Sequence, residues 1–168
     1  SGFVADRRRI GVLVTGGTVG SRSEPLSGRE KLVKLSEAGD QLDILAGPHV
    51  KKVLEQGSIE TVLRQPLNML SENMTPAHWV AIGREIGKLI EKEQPEGILV
   101  LHGTDTMAYT AAWLSLSFAG SPLPVILTGS QFTQDFSPED GSVNLRGAVQ
   151  VVASGFPGVW IYFNWKLI

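Results

Sequence analysis

The chain contains no cysteine, which excludes disulfides and thiol chemistry. It has no uninterrupted apolar run of membrane-spanning length, and no signal peptide is expected ahead of Ile10. An excess of positive charge is also missing. The formal net charge is −2, and Arg7-Arg8-Arg9 is a short run that reads as solvated surface, so the electrostatic footprint of a nucleic-acid binder is absent. Neither the GK[ST] of a phosphate loop nor the G-x-G-x-x-G dinucleotide fingerprint follows the glycines near the N-terminus. No internal repeat or low-complexity segment is visible. What remains is 42% hydrophobic and 19% charged, the balance of a globular protein. Its 168 residues suffice for one domain with one core, burying roughly 70% of the unfolded surface. A soluble, cytoplasmic protein with no membrane contact is expected. Ser1-Gly2 without Met and the abrupt YFNWKLI ending read as cut ends.

Two stretches share one design. Leu99–Phe118 runs from an apolar strand through His102-Gly103-Thr104-Asp105-Thr106 into an apolar helix. Ile10–Val14 is likewise an apolar run, and it ends in Thr15-Gly16-Gly17-Thr18. Turns at the carboxyl ends of strands in an α/β sheet are where such folds hold ligands, so two hydroxyl-rich turns imply one shared pocket. Gly16 and Gly17 permit a tight turn and close backbone approach.

Further along, Ser21–Gly28 lacks periodicity and reads as a loop, plausible as a lid. Arg29–Leu45 is ambiguous, and Val50–Glu55 reads as one or two helical turns. Ile59–Leu63 alternates as a strand. Thr75-Pro76 suits a helix start, and Trp79, Ile82, Ile86, Leu89 and Ile90 follow at helical spacing. Gly97–Leu101 is a buried strand. Thr106–Ala119 is apolar nearly all round and should be sandwiched between sheet and neighbours. Pro124–Leu127 is a strand ending in Thr128-Gly129-Ser130, Gln131–Gly141 a polar loop, and Asp140 or Ser142 should cap a helix to about Ala153. Val159–Phe163 reads as the last strand. Strands alternating with helices predict an α/β fold, a mostly parallel sheet with helices on both faces.

Several residues invite chemistry that their placement opposes. His102, Thr104 and Asp105 are too close in sequence to align as a triad, so His102 reads as structural. His49, His78 and His102 have no ligand spacing, and neither a metal nor a cofactor is expected. Asp135, Glu139 and Asp140 read as solvated or capping. Trp79 and Trp113 read as core. On spacing alone Ser71 and Glu72 are loop residues, and Thr104 and Asp105 read equally as a helix cap.

Together TGGT at 15–18, SENMTP at 71–76, HGTDTMAYTA at 102–111 and LTGSQ followed by EDGSVNL across 127–145 resemble the bacterial-type L-asparaginases, closest to their cytoplasmic type I branch. The resemblance covers nearly the whole chain. It implies the flavodoxin- or Rossmann-like N-terminal domain of that family over residues 1–168, without the smaller C-terminal domain. Thr18 then corresponds to the nucleophile that attacks the side-chain amide of L-asparagine or L-glutamine to form an acyl-enzyme with loss of ammonia. Thr104 and Asp105 belong to the second catalytic group, Asp105 also pairing with the substrate ammonium. Ser71 and Glu72 correspond to the residues that hold the α-amino and α-carboxylate groups, while Ser130, from its own place at the third strand end, is expected to line the pocket. Backbone N–H groups at Gly17 and at Gly103–Asp105 would serve as oxyanion donors.

The family's lid tyrosine has no counterpart between Val19 and Gly57. Its catalytic lysine is not matched by Lys166, and a carboxylate at Glu72 is less expected than an amide or hydroxyl. These departures predict that the isolated 168 residues are nearly inactive, and they leave a silent amino-acid-binding or regulatory domain as an alternative. A third reading, an asparaginase-like subunit of a tRNA-dependent amidotransferase, meets no basic surface in this sequence. The resemblance implies a homodimer or homotetramer for the full-length protein.

Overall fold

The computed structural model describes residues 8–16, 22–25, 31–34, 45, 47–129 and 138–168. Its principal sheet contains β1 (Arg8–Val14), β4 (Ile59–Arg64), β5 (Gly97–Leu101), β6 (Pro124–Thr128), β7 (Gly158–Phe163) and β8 (Lys166–Leu167). Their spatial order is β4-β1-β5-β6-β7-β8. All neighbours are parallel except β7 and β8. From β1 the chain adds β4 on one side, then returns to the other for β5, β6 and β7. This is the doubly wound order of flavodoxin-like folds, with its switch point between β1 and β5.

β5 and β6 are buried along their whole length, as parallel strands covered on both faces must be, which is why they read as unbroken apolar runs. Alternate residues divide between two cores. Leu99 and Leu101 join Val50 of α1 (Pro48–Gln56) and Leu145, Val149 and Val152 of α4 (Pro138–Ala153). Ile98 and Val100 join Ile82, Ile86 and Leu89 of α2 (Pro76–Glu93) and Met107 and Leu114 of α3 (Met107–Ser117). Helices therefore cover both faces. In α2, Thr75 is the N-cap and Pro76 the first helical residue, and the Thr75 N–H donates to Nδ1 of His78 at 2.9 Å. No helix among the described residues is long and apolar enough to cross a membrane.

Four expectations are corrected. The first concerns α3, which is not sandwiched. Only Met107, Thr110 and Leu114 are buried, while Tyr109 and Leu116 are 65% and 80% exposed. Its residues are apolar on every side, so no stripe in the sequence marks which side meets the sheet. Second, part of the Ser21–Gly28 loop is a strand, β2 (Arg22–Pro25), paired antiparallel with β3 (Lys31–Lys34) in a separate two-stranded sheet. Third, α4 begins at Pro138, so Asp140 and Ser142 lie inside its first turns and do not precede it; proline needs no N–H partner at that position. Fourth, β7 is not the last strand. Asn164 and Trp165 take φ values of 47° and 63°, the backbone of a primed hairpin turn, and return the chain as β8. Trp113 lies at the edge of the second core against Gly83, and Trp79 is half-buried.

Candidate active site

At the switch point the ends of β1 and β5 are tied together by Thr15, whose N–H and Oγ1 both donate to the Leu101 carbonyl, at 3.0 and 2.9 Å. Gly16, at φ 105°, then makes a parallel bridge to Met69, and the Met69 N–H donates to the Thr15 carbonyl at 3.1 Å. A Cβ at Gly16 would lie 2.4 Å from the Met69 carbonyl oxygen, so the approach requires glycine. Through this bridge the segment around Ser71 is brought over the strand ends.

Ser71 is buried, and its Oγ accepts from the Asp105 and Thr106 N–H groups at 3.1 and 3.4 Å. Thr106 Oγ1 donates back to the Ser71 carbonyl at 2.8 Å. The amides ahead of α3 have no partner within the helix, so a hydroxyl from a distant segment satisfies them. The N-cap place itself is filled by Thr106, without a side-chain cap bond, and not by Thr104 or Asp105, while Ser71 holds the turn that leads into it. Gly103 fits because a Cβ there would lie 2.6 Å from Ser71 Oγ.

His102 is fully buried behind the same turn. Its Nδ1 lies 2.6 Å from the Gly103 carbonyl oxygen and its Nε2 2.7 Å from Thr110 Oγ1. Burial lowers its pKa below the usual histidine value against the opposing pull of the Gly103 carbonyl. The neutral ring therefore carries its proton on Nδ1, because a carbonyl can only accept, and Nε2 accepts from the Thr110 hydroxyl. Both ring nitrogens are committed, as befits a structural histidine.

The third strand end is fixed similarly. Thr128 Oγ1 donates to the Tyr162 carbonyl at 2.7 Å, and the His102 N–H to the Thr128 carbonyl at 2.9 Å. Asn144, buried on α4, donates from Nδ2 to the Gly129 carbonyl and accepts the Asn164 N–H on Oδ1, both at 2.9 Å. It clamps the exit of β6 to the β7–β8 turn.

Set against these committed groups, Thr104 is half-buried and Asp105 and Glu72 are exposed. None of their three side chains forms a hydrogen bond or ion pair with a described residue. Thr104 also borders an open cavity of about 280 Å³ with Met107, Ala108, Ile161, Phe163 and Ile168. Of the residues proposed from sequence, Ser71 meets the turn that carries Thr104 and Asp105, and Glu72 follows Ser71 in the chain on an exposed turn. Thr18 and Ser130, and with them the Thr18 to Thr104 spacing, lie outside the described residues, as do Gly17 and Asp135. Among the described residues no group of three His, Cys, Asp or Glu is placed to hold a metal ion. Thr110 and Asn144 were not singled out from sequence. Each is a polar residue on a buried helical stripe, Thr110 between Met107 and Leu114 and Asn144 one turn before Ala148, and that placement was the available signal.

The family description "Asparaginase, N-terminal" matches residues 9–168. The L-asparaginase of Thermococcus kodakarensis is 36% identical over 158 residues, covering 94% of this chain and 44% of the relative. A Glutamyl-tRNA(Gln) amidotransferase subunit from Methanococcus vannielii is 36% identical over 160 residues, covering 95% of this chain and 35% of the relative. Among solved structures, a probable cytoplasmic L-asparaginase from Campylobacter jejuni superimposes with a TM-score of 0.79 at 28% identity, over 96% of this chain and 48% of that one. The chain thus spans less than half the length of each of these relatives. With the doubly wound sheet and the turn motifs in place, the match along residues 9–168 makes this chain a member of the asparaginase family, corresponding to its N-terminal domain.

Proposed function

We propose that the protein hydrolyses the side-chain amide of L-asparagine to L-aspartate and ammonia. Thr18 Oγ1 attacks the amide carbonyl, ammonia leaves as the acyl-enzyme forms, and water then releases aspartate. Thr104 and Asp105 form the proton-handling group, Asp105 also pairing with the substrate ammonium in a charge-assisted bond. Ser71, Glu72 and Ser130 bound the amino-acid end of the pocket. Backbone N–H groups of the two turns meet the developing oxyanion, each worth about 2.7–4 kcal/mol when well placed, though not that of Asp105, which Ser71 Oγ already accepts. The observation that carries this reading is the contrast at one turn: Ser71 and His102 hold it from behind, while Thr104 and Asp105 keep side chains without a described protein partner. The residues described form the N-terminal domain of a cytoplasmic homodimer or homotetramer. Ammonia release from L-asparagine by the full-length protein tests the reaction, and retention of that activity in Thr18→Ala would sink it.

The amidotransferase relatives support a second reading, in which the chain is one component of a tRNA-linked amidotransferase. Turnover of free asparagine by the purified protein alone favours the first reading. Ammonia production that appears only with partner subunits and charged tRNA favours the second. Aspartate binding by calorimetry without any turnover would instead mark a silent amino-acid-binding domain.

A further inference from the structure

We propose that His102, keyed by Thr110, is a positioning residue that fixes the Gly103–Thr104 peptide so that the Thr104 N–H faces the open carboxyl edge of the sheet. Gly103 is confined to glycine by the approach of Ser71, and glycine offers little steric resistance to a flipped peptide. Something else must choose the orientation. The Gly103 carbonyl is held at 2.6 Å by Nδ1 of a histidine with no exposed surface, and the ring is itself held at 2.7 Å by Thr110 on the buried stripe of α3. No peptide among the described residues is cis, and in a trans unit the C=O and the following N–H point in opposite directions. With its carbonyl drawn inward to the ring, the unit turns the Thr104 N–H outward. The next two amides, of Asp105 and Thr106, are spent on Ser71 Oγ. Of three consecutive N–H groups, only that of Thr104 has no acceptor among the described residues. Along Gly103–Thr106 the amides of Gly103 and Thr104 both lack an acceptor among the described residues, and the fixed histidine tautomer aims the second of them.

Resting on the asparaginase reading, this inference makes His102 a determinant of kcat although it touches no reacting atom. Nitrogen NMR of the full-length protein is expected to show His102 as the Nδ1–H tautomer, and a Thr104 amide that exchanges with solvent faster than those of Asp105 and Thr106. In kinetics with L-asparagine, His102→Gln, which cannot place a donor at the Nδ1 position, should lower kcat, by less than the roughly 100-fold that deleting an oxyanion donor costs, since the Thr104 amide itself remains. KM should move far less, because aim and not uniform binding is lost. His102→Asn, whose amide nitrogen reaches near Nδ1, should recover most of the loss, and Thr110→Ser should outperform Thr110→Val. An Nε2–H tautomer, a Thr104 amide protected like its neighbours, or wild-type kcat in His102→Gln would overturn the inference. Should the unmutated protein fail to turn over asparagine, the proposed reaction falls, while the tautomer and exchange measurements still decide this inference. Those two measurements need no variant to fold.

Discussion

The two edges of the sheet treat their polar residues in opposite ways. At the amino edge, carboxylates are neutralised by side chains: Glu96 meets Arg8 at 2.6 Å, and Arg9 lies between Glu60 at 3.8 Å and Glu93 at 3.7 Å. At the carboxyl edge, Thr15, Ser71, His102, Thr128 and Asn144 are spent on backbone groups. There the carboxylates of Asp105 and Glu72 stand exposed with no described partner. The polar residues of one edge close the surface, and those of the other hold loops in place around groups kept for something else.

The largest expected effect breaks this comparison most directly. Asp105→Asn should lower asparagine hydrolysis by about 10²–10⁴-fold, as removal of a proton-handling group does. Its thermal stability should stay within about 0.5 kcal/mol of wild type, because no protein contact is lost. A melting temperature that falls while activity holds would show that Asp105 is structural after all. Ser71→Ala should differ by lowering stability as well, costing about 1–3 kcal/mol in a urea titration because two amides lose their acceptor. An unchanged midpoint would remove Ser71 from the supports of the turn.

A pH titration sharpens the contrast at smaller scale. The folded-state pKa of His102 is lowered by burial, so below its unfolded value of about 6.5 the unfolded chain binds a proton that the folded chain refuses. Stability contributed by the neutral ring is complete above about pH 7.5 and declines as the pH falls through 6.5. The slope is bounded by about 1.4 kcal/mol per pH unit, the limit for a single proton. Urea midpoints of wild type and His102→Gln compared between pH 7.5 and 5.5 isolate this component, and parallel curves would rule it out.

The strands were legible because burial on both faces writes itself as an unbroken apolar run, as in Gly97–Leu101 and Pro124–Thr128. The helix after Thr75-Pro76 was legible because its core residues recur at helical spacing beside an identifiable cap. The exposed side of α3 was not, since Ala, Leu and Tyr around the whole helix leave no period to read, and the turn at Asn164-Trp165 lacks the glycine that usually announces it. At the site, residue types and turns were visible through motif and topology. The bonds from Ser71 to Asp105, His102 to Thr110 and Asn144 to Asn164 join residues 34, 8 and 20 apart, and pairings of this kind come from the fold and not from local spacing.

The smallest effect belongs to the amino edge, and its smallness is the point. Arg8 and Glu96 are close, but their side chains are 36% and 51% exposed, so water and salt already screen much of their attraction. Arg8→Ala, which also gives up the guanidinium's bond to the Ala153 carbonyl, should cost about 1 kcal/mol, and the share that belongs to the ion pair should shrink as salt is raised. Asparagine turnover should not change, because the pair sits at the opposite end of the strands from Thr104 and Asp105. Urea unfolding at low and high salt, with an ammonia assay alongside, measures both. A loss of activity in Arg8→Ala at unchanged stability would show that the amino edge reaches the site, and the division of labour between the edges would fall.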